Sequence, residues 1–289
     1  MTARKRTTRP VPLELLQTLR SGSSFGQSNH KSTKRATMAK KNTQPALHLA
    51  PAVTLQSKPN QRLRVSLDDL VTIQPLTENQ KKFFELYKSG TECMLLHGVA
   101  GTGKTFIALY KAIEEVLNKQ STYERVVLVR SAVPSRDIGH LPGDEKEKTE
   151  VYTAPYIDIC SRLFYNRVDA YHRLQEQKVV NFMITSFVRG ITLDDAIIIV
   201  DECQNMTDME LNSVMTRVGD RSKIIFCGDF RQTDLYKKGD LSGLKKFMAI
   251  ADAMPSFKNV EFEVNDIVRS SIVKEYILAR IDYESRHVN

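Results

Sequence analysis

The chain has 289 residues, 41% of them hydrophobic and 26% charged, a balance that one or two domains of an ordinary soluble enzyme accommodate. Its longest unbroken aliphatic run, Ala196 to Val200, is far shorter than the roughly 20 apolar residues needed to cross a bilayer, so no membrane partner is expected. The formal charge of +8 is unevenly spread: residues 1–60 hold 11 Lys and Arg against the single acid Glu14, which leaves 31 basic and 33 acidic residues for 61–289.

Residues 1–60 are rich in Ser, Thr, Lys, Arg, Gln and Asn, lack Asp and show no sustained apolar periodicity. They read as a disordered basic tail. Such a tail suits either non-specific contact with phosphate backbones or plain solubilisation, and its composition leaves both open. An organellar leader fits poorly, because Glu14 interrupts the apolar stretch Val11 to Leu19 and no cleavage-like pattern follows. Met38-Ala39-Lys40-Lys41 offers an alternative translation start.

From residue 61 short apolar runs alternate with longer amphipathic segments, the pattern of repeated βα units and a mostly parallel sheet. The runs predict strands at Met94–His97, Arg125–Val129, Val179–Thr185, Ala196–Val200, Ile224–Cys227 and Val260–Val264. Between and around them, helices are predicted at 78–88, 104–118, 156–166, 169–177, 207–218, 242–251 and 272–281. One doubly wound α/β domain over 61–289 holds them all. The four cysteines, Cys93, Cys160, Cys203 and Cys227, are too far apart for a metal motif and read as reduced, mostly buried thiols of a cytoplasmic protein.

Gly98-Val99-Ala100-Gly101-Thr102-Gly103-Lys104-Thr105 follows an apolar strand and opens the amphipathic helix that continues from Phe106. This is the G-x-x-x-x-G-K-[ST] phosphate loop in its proper context. The backbone N–H groups of residues 98–106 are expected to wrap the phosphates of ATP, Lys104 to reach the β- and γ-phosphates, and Thr105 to ligate Mg²⁺. At the end of a buried strand stand Asp201 and Glu202, where open α/β sheets bind ligands. Asp201 is expected to partner Mg²⁺ through water, beside Thr105, and Glu202 to orient and deprotonate the attacking water.

A second buried strand ends in Gly228-Asp229-Phe230-Arg231-Gln232, which makes Gln232 a candidate to sense the γ-phosphate or the water. Arg217 and Arg269 are candidates to neutralise charge on the transferred phosphoryl group, each weighed against an ordinary surface ion pair. Thr77 reads as a helix N-cap, and Gln80 has both the donor and the acceptor needed to read an adenine edge.

These residues, together with RSAVPSRDIGHLPGDEKEK, VRGITLDDAIIIVDECQNMT, MTRVGDRSKIIFCGDFRQTDL and VNDIVRSSIV, make the chain resemble PhoH-like proteins over about residues 70–280, particularly the short phage type. The resemblance implies a three-layer RecA-like P-loop core of the superfamily-1-helicase kind. It also implies ATPase activity, a ring, most simply a homo-hexamer, and association with RNA or single-stranded nucleic acid in the cytoplasm, the host's if the gene is a phage's. By the same likeness Gln80 is the adenine-reading glutamine, Gln204 completes the acidic motif, Gly228, Asp229 and Gln232 form motif III, Arg269 contacts phosphate, and Arg130 to Gly143 is a loop gripping nucleic acid or a neighbouring subunit. Cys203 stands where Ala is commoner, and His140 where Phe is usual. Two readings from other classes stand beside this one: a nucleotide-gated RNA-binding module whose turnover is incidental, and a small-molecule kinase. The acid at Glu202 and the lack of an Arg-rich lid disfavour the kinase.

Overall fold

The computed structural model describes residues 64–131, 145–229 and 246–287, the side chains of 145–150 and 287 excepted. The basic tail, Gln232, His140, most of the Arg130–Gly143 loop and the start of the helix expected over 242–251 lie outside the described residues.

Six strands form one all-parallel sheet: β1 (Cys93–Gly98), β2 (Arg125–Arg130), β3 (Val180–Ile184), β4 (Ala196–Asp201), β5 (Lys223–Gly228) and β6 (Phe257–Phe262), in the order β3-β2-β4-β5-β1-β6. Five of them match the apolar runs read from the sequence to within about two residues, whereas β6 begins three residues before the expected Val260 and ends two before the expected Val264. Successive side chains alternate between faces. Met94, Leu96, Val126, Leu128, Ile197 and Ile199 therefore join one core, and Leu95, Val127, Val129, Ile198 and Val200 the other.

The first core is covered by α1 (Glu78–Lys88), α2 (Lys104–Leu117), α3 (Glu145–Leu163) and α4 (Ala170–Glu176). The second lies under the short α5 (Thr185–Val188), α6 (Asp208–Met215) and α7, helical over 246–252. Helices on both faces of a parallel sheet are the three-layer α/β architecture. Apolar burial on both faces is why the central strands are near-continuous Val, Ile and Leu rather than alternating. The last helix, α8 (Ser271–His287), leaves Ile272, Tyr276 and Tyr283 largely exposed.

Local chemistry sets the helix starts. Thr77 caps α1 by accepting from the Gln80 N–H at 3.4 Å. Thr207 and Glu210 form a reciprocal capping box at α6, a device worth about 1 kcal/mol. The expected helix over 156–166 begins earlier, at Glu145, with Pro155 inside it. Proline is disfavoured within a helix because it removes one intrahelical hydrogen bond, and an expected start just after Pro155 therefore falls inside the observed helix.

Chain direction fixes where a ligand sits. From β1 the chain crosses towards the β2 edge, whereas from β5 it crosses β1 towards β6. Neighbouring strands whose connections leave for opposite faces open a crevice at their C-terminal ends, and the phosphate loop and acid pair both lie on that edge.

Candidate nucleotide site

The loop between β1 and α2 is shaped by glycine. Gly98 has φ +115°, and a Cβ there would stand 2.1 Å from the Phe262 carbonyl oxygen. Only glycine lets β1 turn away so close to β6, where the Val99 N–H donates to that same carbonyl at 2.9 Å. Gly101 and Gly103 are also left-handed, at φ +77° and +83°, and Gly103 opens α2 without a side-chain cap. Among the described residues, no backbone N–H from Ala100 to Phe106 has a protein acceptor. A row of open amides at a helix N-terminus carries positive potential suited to a phosphate.

Lys104 is buried, and its Nζ donates to the carbonyls of Gly98 (3.1 Å) and Val99 (2.8 Å) and, at 3.4 Å, to Thr102 Oγ1. Burial lowers its pKa, opposed chiefly by the negative charge of Asp229. Below it, Thr105 Oγ1 donates to Asp201 Oδ1 at 2.7 Å, and the buried phenol of Tyr156 on α3 donates to Asp201 Oδ2 at 2.9 Å. The acid pair expected from the sequence thus meets the loop threonine.

Glu202 adopts the left-handed conformation, φ 51° and ψ 41°, which non-glycine residues occupy at a cost and which clusters at functional sites. Its pKa is raised, first by burial and then by the neighbouring Asp201. Gln204 Nε2 donates to Glu202 Oε2 at 2.5 Å, while Gln204 Oε1 accepts from the Asp229 N–H at 3.1 Å. Gln204 therefore ties the acid pair to the end of β5. Contact there is tight: a Cβ on Gly228 would lie 2.6 Å from Cys203 Sγ.

Gln80 is 3% exposed; its Nε2 donates to the Thr102 carbonyl at 3.0 Å and its Oε1 accepts from the Leu76 N–H at 2.8 Å. The structure thus seats it as a buttress of the phosphate loop, with one N–H and one lone pair left over. Phe106 packs half-buried against the core of its own helix. Arg269 lies against the loop, with its Cγ 3.0 Å from where a Gly101 Cβ would be, and the Val268 N–H donates to the Gly101 carbonyl at 3.1 Å.

Arg217 is not brought to the site. Its carbonyl accepts from the Leu193 N–H just before β4, whereas the acid pair ends that strand, about 20 Å away for six residues at the extended rise. Its Nε is buried without a hydrogen-bond partner. Sequence reasoning missed Tyr156, whose spacing on α3 marks only a core position. It noticed Arg130 only as the start of a loop; this residue pairs in register with Asp201, and its charge lowers the pKa of Glu202.

The four cysteines are free and buried, and burial pushes the Cys93 and Cys160 thiols up to about 12. Among the described residues no cluster of His, Cys, Asp and Glu suits a metal ion by itself, and no helix is long and apolar enough to cross a membrane. A magnesium ion fits here only as the partner of a triphosphate, beside the Thr105 hydroxyl and the Asp201 carboxylate.

With β5 lying between the strand that carries the phosphate loop and the strand that carries the acid pair, the molecule is a RecA-like P-loop protein. The model of the PhoH-like protein family matches residues 72–281, and the chain belongs to that family. It is 34% identical over 216 residues to the PhoH-like protein of Mycobacterium leprae (strain TN), covering 74% of this chain and 60% of that one. To the PhoH-like protein of Bacillus subtilis (strain 168) it is 36% identical over 183 residues, 63% of this chain and 56% of the other. The chain thus spans less than two thirds of the length of these curated relatives. Among solved structures, the large terminase of a thermophilic bacteriophage in complex with ADP matches with a TM-score of 0.40 and 16% identity, over 70% of this chain and 49% of that one.

Proposed function

We propose that the chain binds ATP with Mg²⁺ and hydrolyses it, acting as an RNA- or single-stranded nucleic-acid-dependent ATPase or helicase in an oligomeric ring. The observation that carries this reading is the 2.7 Å bond from Thr105 to Asp201 beneath a loop of open amides, because a phosphate loop joined to a strand-end carboxylate serves triphosphate chemistry.

The loop amides and Lys104 take the phosphate oxygens. Lys104 gives up the carbonyls of Gly98 and Val99 to do so, an exchange of one acceptor pair for a charged one. Magnesium, held beside Thr105 and Asp201, would neutralise charge on the β- and γ-phosphates. Glu202 has Oε2 occupied by Gln204, so Oε1 is the oxygen that receives the proton of the attacking water. Its raised pKa makes that oxygen a better base than an ordinary carboxylate. Gln204 relays the state of Glu202 to Asp229, and Gln232, three residues further along, is the reader of the γ-phosphate. Gln80 holds the loop from behind and offers its remaining polarity to the base.

A ring suits the remoteness of Arg217 from its own site, since in one subunit this arginine stands at the far end of the sheet and a role in turnover would need a neighbour's nucleotide. The exposed apolar residues of α8 offer surface for that neighbour. The test is phosphate release with and without single-stranded RNA, together with sedimentation to count subunits. Stimulation by RNA and a Lys104→Ala variant without turnover are expected. A parent protein that binds no ATP would refute the reading.

A further inference from the structure

Tyr156 is the largest fully buried side chain of α3, at 0% exposure, and its ring lies 5.9 Å from that of Phe182 on β3. Core packing alone calls for a phenylalanine there. Tyrosine instead places a hydroxyl where no water is needed, and that hydroxyl donates to Asp201 Oδ2 at 2.9 Å, a buried bond between residues 45 positions apart. A buried hydroxyl costs free energy unless its partner is well placed, and here the partner is the carboxylate expected to serve the metal.

The two oxygens of Asp201 are thereby distinguished. Oδ2 is held from the α3 side by Tyr156, while Oδ1 faces Thr105 and the loop. A carboxylate gripped at one oxygen cannot rotate about its terminal torsion without breaking a charge-assisted bond. We infer that Tyr156 is a positioning residue that clamps Asp201 so that Oδ1 is presented with Thr105 to the magnesium of the bound nucleotide. This rests on the proposed Mg²⁺-ATP reading of the site. Partners of this kind behind a metal-serving group commonly change metal affinity by roughly 10- to 100-fold when removed. Because Asp201 is expected to act through water, the effect here is placed at about 3- to 10-fold, below that range.

The experiment titrates a fluorescent ATP analogue against the full chain at a series of Mg²⁺ concentrations and again in EDTA, for the parent, Tyr156→Phe and Tyr156→Met. Both variants lack the hydroxyl but differ in shape, so either serves if the other folds poorly. The expected result is unchanged affinity for the analogue in EDTA and a rise of about 3- to 10-fold in the Mg²⁺ needed for half of the metal-dependent gain. An unchanged Mg²⁺ midpoint in a folded variant overturns the assignment, as does an equal loss of affinity with and without metal, or failure of both variants to fold, each of which makes the phenol structural. A parent that binds the analogue without any response to Mg²⁺ would overturn the metal reading of the site itself, a result distinct from these.

Discussion

Thr105 and Asp201, 96 residues apart in the chain, share a 2.7 Å hydrogen bond that joins the phosphate loop to the end of β4. Neither strand end neighbours the other in the sheet, so this bond is a direct tie between the two halves of the site. Thr105→Ala should leave the fold intact while abolishing the Mg²⁺-dependent part of nucleotide binding and lowering turnover by at least about 100-fold. Thr105→Ser, which keeps the hydroxyl, should retain most of both. Calorimetric titration of ATP with and without Mg²⁺ checks the pair.

Glu202 predicts a pH profile. Burial and Asp201 raise its pKa, so on lowering the pH it takes up a proton earlier than an ordinary carboxylate. The form that accepts a proton from water is the ionised one, present above that pKa. Turnover should therefore fall with acid along a limb displaced upward from the usual carboxylate range, while ATP binding, which does not use this proton, persists. Glu202→Gln should lose about 100- to 10,000-fold in turnover and still bind ATP. If that variant keeps the parent's RNA response and biological output, hydrolysis is not the working step.

Gly98 and Gly90 separate two glycine effects. Both have positive φ, but a Cβ on Gly98 would meet the Phe262 carbonyl at 2.1 Å, whereas one on Gly90 meets nothing within 4 Å. Gly90→Ala should cost about 1 kcal/mol, from backbone strain alone. Gly98→Ala must also part β1 from β6, and about 3 kcal/mol or more is expected, since overpacking and strain add. Urea unfolding of the two variants side by side gives the comparison.

A further stability prediction concerns the opposite edge of the sheet. Lys223 is 2% exposed, its Nζ sits 3.7 Å from the Tyr87 ring centroid, and it pairs with Glu115 at 3.5 Å. Removing the partner leaves a buried cation behind, so Glu115→Ala should cost about 3 kcal/mol. Lys223→Met, which removes the charge and keeps the stem, should be close to neutral. A larger loss for Lys223→Met than for Glu115→Ala, measured by the same urea unfolding, would show that attraction, not desolvation, dominates there.

What the sequence makes legible follows from how local the signal is. The inner strands β1, β2, β4 and β5 are short runs buried on both faces, so composition alone located them, whereas the edge strand β6 alternates buried with exposed residues and was read three residues late; the loop from Gly98 to Thr105 carries its chemistry in consecutive residues. The start of α3 was hidden because Pro155 normally opens or ends a helix, and the structure shows the helix running through it from Glu145. Tyr156 itself was invisible for a related reason: a hydrophobic period does not say whether the end of a ring meets a carboxylate. Arg217 looked plausible beside β5 in the sequence, yet the strand that follows it carries the chain across the sheet before reaching the crevice. A residue that precedes a parallel strand stands at its N-terminal end, so residue order itself sets Arg217 apart from a crevice at the C-terminal ends.

The interposed position of β5 has a mechanical consequence. Its flank is hydrogen-bonded to β1 on one side and to β4 on the other, and its end touches the acid motif through Gln204 and the bare Cα of Gly228. Any change in spacing between the strand that grips phosphate and the strand that carries the acids must be taken up by the hydrogen bonds on the two sides of β5. A crevice that opened or closed would thus load one strand from both sides, and Asp229 marks the point where that strand is tied to the acid motif.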